Sequence, residues 1–146
     1  MRVAFGRSFA VAFVVLSVVL VGVPPLVGRA EAAAGQSSVR LDGTSSLITV
    51  PDNAALRLAG NFTLEVRAKP MAATRQTTMF GKSFYELSMF PAAGGVQFAF
   101  VVRQGAWREA RSAVLPLGRW YTVAGSFDGS FLRLFVDGEL VASSAL

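Results

Sequence analysis

Trp120-Tyr121-Thr122-Val123-Ala124-Gly125-Ser126-Phe127-Asp128-Gly129-Ser130-Phe131-Leu132-Arg133-Leu134-Phe135-Val136-Asp137-Gly138-Glu139-Leu140-Val141-Ala142-Ser143 carries two Asp-Gly pairs nine residues apart. Asp-Gly between β-rich runs is a strong hairpin signal, because its backbone tolerates the positive φ angles of a tight primed turn. Two in succession predict a three-stranded meander: Trp120–Phe127, Phe131–Val136 and Glu139–Ser143. The fold class is therefore all-β.

Upstream, short β-like runs alternate with turn residues from Val39 onward, and no long 3.6-residue period appears. Val39–Leu41 stops at Asp42-Gly43, and Leu47–Val50 stops at Pro51-Asp52. Asn53–Leu58 reads as a short helical turn or a loop. Phe62–Lys69 alternates cleanly, with Phe62, Leu64, Val66 and Ala68 on one side and Thr63, Glu65, Arg67 and Lys69 on the other. Pro70, which has no N–H to give a ladder, ends it. Thr77–Phe80 and Phe84–Phe90 follow. Val96–Arg103 directs Val96, Phe98, Phe100 and Val102 inward and Gln97, Ala99, Val101 and Arg103 outward. About ten short strands at this spacing predict an antiparallel β-sandwich of jelly-roll type.

Charge decides one register. Ala106–Ser112 returns antiparallel to Val96–Arg103. A two-residue turn at Gln104-Gly105 would put Glu109 and Arg111 on the face of Phe100 and Phe98, where burial is costly. A three-residue loop, Gln104-Gly105-Ala106, moves them to the opposite face. Arg103 then faces Trp107, Val101 faces Glu109, and Ala99 faces Arg111.

The 146 residues include neither cysteine nor histidine. Disulfides, thiol nucleophiles, histidine-assisted triads and the usual zinc sites are thereby excluded. Residues 1–32 have the layout of a secretory signal peptide: Arg2 and Arg7, an uncharged 21-residue stretch from Ser8 to Gly28, then Ala30-Glu31-Ala32-Ala33-Ala34. Cleavage is expected after Ala32 or Ala34. An uncleaved membrane anchor is the competing reading, since about 20 apolar residues span a bilayer. Pro24-Pro25 weigh against it. Both readings place the folded part outside the cytoplasm. Loss of Arg2, Arg7, Arg29 and Glu31 lowers the net charge from +5 to +3, and the remaining charges are mixed in sign. A nucleic-acid interface, which needs a clustered basic face, is not expected. Residues 33–38 are a short lead to a domain over 39–146.

The segments Leu41-Asp42-Gly43, Ile48-Thr49-Val50-Pro51, Phe62–Pro70, Met79-Phe80-Gly81-Lys82, Tyr85-Glu86-Leu87, Gly118–Ala124, Phe127-Asp128-Gly129 and Leu132–Gly138, in this order and spacing, resemble a laminin-G-like module of the concanavalin A-like lectin/glucanase superfamily. The resemblance implies a jelly-roll sandwich acting as an extracellular binding or adhesion module for glycans or proteins. It also implies about two further strands after the meander, one of them beside the first strand. The domain is thus expected to lack its last strands, as a fragment would, and to leave Val39–Leu41 without a neighbour.

No catalytic residues are expected. Asp42, Asp52, Glu65, Glu86, Glu109, Asp128, Asp137 and Glu139 are scattered, whereas glycosidic cleavage needs two carboxylates flanking one bond. Asp42, Asp128 and Asp137 precede glycine and read as turn residues. Asp52 with Asn53 is the nearest candidate for calcium, and no other cofactor is implied. Trp107, Arg103 and Arg111 share a polar face near a loop and form the candidate ligand-binding set. An aromatic plate beside guanidinium donors suits sugar stacking and acidic glycans. The same residues also fit ordinary edge packing of Trp107 on the Arg103 stem. Trp120 reads as structural, Phe62 as buried, and the Asn61-Phe62-Thr63 sequon as incidental in a chain of bacterial character. The expected function is a secreted, non-enzymatic binding module. The alternatives are an accessory domain detached from a larger secreted glycoside hydrolase and a membrane-anchored structural segment.

Overall fold

All ten strands expected from residue 39 onward form, with ends within two residues of the expected ones. The computed structural model describes residues 2–4, 10–13, 38–43 and 46–146. In chain order the strands are β1 (Arg2–Ala4), β2 (Ala10–Phe13), β3 (Val39–Leu41), β4 (Leu47–Thr49), β5 (Phe62–Pro70), β6 (Thr77–Lys82), β7 (Tyr85–Ala92), β8 (Gly95–Gln104), β9 (Ala106–Arg111), β10 (Tyr121–Phe127), β11 (Phe131–Val136) and β12 (Glu139–Ala145). One 3-10 turn, Ala54–Leu56, stands where the short helical turn is expected.

Two antiparallel sheets pack face to face as a jelly-roll sandwich. One runs β12-β11-β10-β5-β2-β3 and the other β6-β7-β8-β9, while β1 and β4 form a separate pair. Alternation builds the interior. Leu64, Val66 and Ala68 of β5, Val96, Phe98, Phe100 and Val102 of β8, Tyr121, Val123 and Phe127 of β10, and Leu132, Leu134 and Val136 of β11 are all buried in one cluster. Each large aliphatic or aromatic side chain so buried contributes about 1.5–3 kcal/mol. Phe62 is half-buried and packs against Tyr85, Phe100 and Phe127, with ring centroids 5.3, 6.0 and 5.5 Å away. Trp120 lies outside the core, under the Arg67 guanidinium at 5.6 Å.

The β8–β9 register is the one that charge separation requires: Arg103 faces Trp107, Val101 faces Glu109 and Ala99 faces Arg111. Gly105 takes the bend with a φ of 70°.

The two Asp-Gly pairs differ. Asp137 and Gly138 both have positive φ, 51° and 87°, as a two-residue primed turn demands. At the first pair, of Asp128 and Gly129, only Gly129 has positive φ. There the Asp128 N–H donates to the Phe131 carbonyl at 3.3 Å, so Gly129-Ser130 are the central residues. Asp128 sits one place before the turn, and its carboxylate accepts from the N–H groups of Ser130 and Phe131 at 3.0 and 2.8 Å.

A second correction concerns β3, for which no neighbour is expected. It pairs with β2, which inserts between β3 and β5. Of the leader read over residues 1–32, β1 and β2 are therefore strands; the rest of it, with the cleavage positions Ala32 and Ala34, lies outside the described residues.

Gly125 holds the sheets in register with each other. It lies between Leu64 and Leu134 on β10, and a Cβ added there would overlap the ring and Cβ of Phe100 on the facing sheet. The Phe100 ring fills the space that this glycine leaves. Gly125→Ala should cost about 1–3 kcal/mol through overpacking, and adding Phe100→Leu should recover part of the loss. Urea denaturation of the two variants reads both effects; a Gly125→Ala protein as stable as the parent would contradict this packing.

Candidate functional site

The inward commitment of β8 leaves its odd-numbered residues on the outer face of the four-stranded sheet. Cross-strand pairing sets three rows there. Ser88, Ala99 and Arg111 make one, and Glu86, Val101 and Glu109 the next. The third crosses the sheet end: the Arg103 N–H donates to the Phe84 carbonyl at 2.8 Å, and Arg103 faces Trp107. Ala99 and Val101, expected to face outward, do so but are buried, as is Ser88. They are small or apolar residues flanked by the taller Glu86, Phe90, Glu109 and Arg111.

The end row is the exposed one. Phe84 is 62% exposed and Trp107 54%. Between them the Arg103 guanidinium lies 5.8 Å from the Trp107 ring centroid, within cation–π range. Arg103 makes no ion pair among the described residues. Behind the row opens a cavity of about 260 Å³, lined among others by Leu58, Gly60, Phe84, Arg103, Gln104 and Phe127. Aromatic surface, an unneutralised guanidinium and a shallow recess thus meet at one end of the sandwich.

Arg111 shares the face but not this cluster. Its guanidinium donates to both Glu109 oxygens at 3.1 and 2.8 Å and lies 3.7 Å from the Phe90 ring centroid. Its charge is balanced by its neighbour. Phe84 was missed by sequence reasoning, which placed it inside a strand rather than in the Ser83-Phe84 turn. The signal was Lys82-Ser83-Phe84-Tyr85, where the turn displaces Phe84 from the alternation that buries Tyr85 and Leu87. The structure also brings Glu86 and Glu109 into one row, which chain order does not reveal. Glu86 accepts from the Thr78 and Ser88 hydroxyls at 3.1 and 2.9 Å.

Residues 42–146 match the laminin-G-type family model of the concanavalin A-like lectin/glucanases superfamily. The chain belongs to this superfamily. No curated protein and no solved structure matches the chain. Laminin-G-like domains of the superfamily are generally non-catalytic binding modules for glycans or proteins and are typically extracellular, although the superfamily also includes glycosidases. Among the described residues, no helix is long and apolar enough to cross a membrane.

The aspartates of this laminin-G-like domain are occupied by the fold itself. Asp52 pairs with Arg57 at 2.7 Å and with Lys82. Hydrogen bonds from Lys82 and then Arg57 hold its carboxyl at about 2. Asn53 caps the 3-10 turn by accepting from the Ala55 N–H at 2.9 Å. Asp137 accepts from the Thr122 N–H at 2.8 Å and pairs with Arg119 at 2.7 Å. Among the described residues, no group of three or more acidic side chains could hold a metal ion.

Asp128 is lowered from 3.8 to about 2 by the Ser130 N–H, the Arg133 guanidinium and the Phe131 N–H, in that order. A carboxyl depressed on folding stabilises the fold above its unfolded value, and that stabilisation is lost as pH falls toward the folded one. Asp128→Asn should therefore flatten the loss of stability between about pH 4 and pH 2, with Asp52 supplying the residual slope. Urea midpoints at the two pH values measure it. An undiminished slope in the variant would show that Asp128 is not anchored as described.

Proposed function

We propose that this chain is a secreted, non-enzymatic module that binds an acidic saccharide across the Phe84–Arg103–Trp107 row. The observation that carries the reading is an exposed tryptophan beside a guanidinium with no carboxylate partner among the described residues. A pyranose ring offers C–H groups that pack on an indole face, and a uronate or sulfate offers the anion that Arg103 lacks. The recess at Gln104 and Gly60 gives the next sugar unit a polar edge. Arg111, held by Glu109, lies on the same face beyond the Val101–Glu109 row and adds no net charge to the site. Calcium has no assigned place in this scheme, because Asp52 is paired with Arg57 and with Lys82 of β6 and Asn53 caps its own turn.

Export follows from the leader. Its removal after Ala32 or Ala34 gives a product starting at Ala33 or Gly35, which N-terminal sequencing reads directly. An intact Met1 or Arg2 start would favour the membrane-anchored alternative.

The binding reading is tested on a glycan array followed by titration. Acidic oligosaccharides should bind, and binding should survive a chelator. Trp107→Ala should weaken it about tenfold or more, equivalent to about 1.4 kcal/mol, with little change in Tm because the side chain is half exposed. Arg103→Gln should abolish the preference for acidic over neutral glycans. Equal binding by the parent and Trp107→Ala would remove the site from this face, and retention of extracellular protein rather than glycan would change the ligand class.

A further inference from the structure

One place past its last buried residue, β8 ends on a glutamine. Alternation sends Val102 inward and Arg103 outward, so Gln104 falls on the inward side, where the sandwich opens. The recess of about 260 Å³ lies at this opening, and its floor is apolar. Two cross-strand pairs build the floor: Tyr85–Val102 on one sheet and Phe62–Phe127 on the other. Phe62 joins them, with ring centroids 5.3 Å from Tyr85 and 5.5 Å from Phe127. It is half-buried, whereas the other three are buried. At the lip, a Cβ added to Gly60 would meet nothing within 4 Å, so the mouth is open on that side.

Polar groups are few here. The Tyr85 hydroxyl is committed to the Leu56 carbonyl at 2.8 Å. Of the lining side chains, Arg103 and Gln104 are left to donate, and neither makes a hydrogen bond or ion pair among the described residues. A sugar hydroxyl pressed onto the aromatic floor would lose its water partners and find none in exchange. A methyl group loses nothing there and gains burial. The recess is also smaller than the roughly 300–1,000 Å³ of pockets that enclose a whole small ligand. It fits a substituent, with the sugar ring itself remaining on Trp107. That substituent needs an apolar end and, near its base, an acceptor for an amide N–H.

We infer that the recess is an acetyl subsite, an inference that rests on the acidic-saccharide reading of the Phe84–Arg103–Trp107 row. The ligand is then an acidic saccharide bearing an acetyl group. Its anion meets Arg103, its acetyl carbonyl accepts from the Gln104 amide, and its methyl lies against Phe62 and Phe127. Because β8 carries Arg103 and Gln104 in succession, one strand end reads both the charge and the substituent.

Titration of the full chain with two matched ligand pairs tests this. In each pair both members are acidic and carry equal charge. One pair is an O-acetylated oligogalacturonate and the same oligomer after removal of its acetyl esters. The other is N-acetylneuraminyl-lactose and its N-glycolyl counterpart, in which a hydroxyl is added to the methyl. The acetyl-bearing member of at least one pair should bind about tenfold tighter, and the pair that discriminates identifies the linkage. Gln104→Met, of similar volume and without the amide, should shrink that ratio severalfold, while Arg103→Gln should weaken both members alike. Equal binding within both pairs would overturn the acetyl subsite and leave the acidic-saccharide reading standing. No binding of any of the four would remove both. A ratio unchanged by Gln104→Met would also overturn the subsite. Should that variant fail to fold, proton NMR on the unaltered chain decides. The bound acetyl methyl should move upfield and cross-relax with the Phe62 and Phe127 ring protons; a methyl resonance at its free position refutes the assignment.

Discussion

The seating of Phe100 over Gly125 is the constraint on which the sandwich depends. Face-to-face sheets stand about 10 Å apart, so each inward side chain needs a matching space opposite. Here the match is a phenylalanine on β8 against a glycine on β10, with Leu64 and Leu134 on either side of that glycine. The rest of the interior aligns with this contact. Phe98 meets Tyr121 edge-on at 5.2 Å, and Phe62 meets Phe100 at 6.0 Å. Tyr121 and Tyr85 reach past the aromatic layer to donate to the Pro116 and Leu56 carbonyls at 2.6 and 2.8 Å, tying loops to the core.

The proposed site is built on the same strand. Because the even positions of β8 are committed to the interior, the odd ones carry the outer face, and Arg103 ends that row. Gly105 then turns the chain so that Trp107, and not Ala106, comes opposite Arg103. A two-residue turn would have inverted every side chain of β9, burying Glu109 and Arg111. The proposed binding row is thus set by backbone register rather than by local sequence.

Much of this was legible in the residues. Alternation in Phe62–Lys69 and Val96–Arg103 is a direct readout of one buried face, and the cost of burying Glu109 and Arg111 was enough to choose the β8–β9 loop. The relation between Phe100 and Gly125 was not legible, because a glycine within a strand gives no sign of what faces it from another sheet. The same holds for Glu86 and Glu109, and for the ion pair that neutralises Arg111. The first Asp-Gly pair misled because an aspartate before a turn and one inside it look alike in sequence; only the hydrogen bonds from Ser130 and Phe131 separate them. The place of β2 escaped notice because its residues fit a leader equally well. An apolar segment satisfies both a signal-sequence pattern and a vacant strand position.

Proton NMR gives the most direct test of the interlock between the two sheets. A ring seated on a glycine shifts the Gly125 Hα resonances strongly upfield and produces cross-relaxation between them and the Phe100 ring protons. Both signals together are the expected result. Gly125 Hα resonances at unperturbed positions, with no cross-peak to Phe100, would mean that the sheets are not packed as described and that the outward row ending at Arg103 has no fixed scaffold.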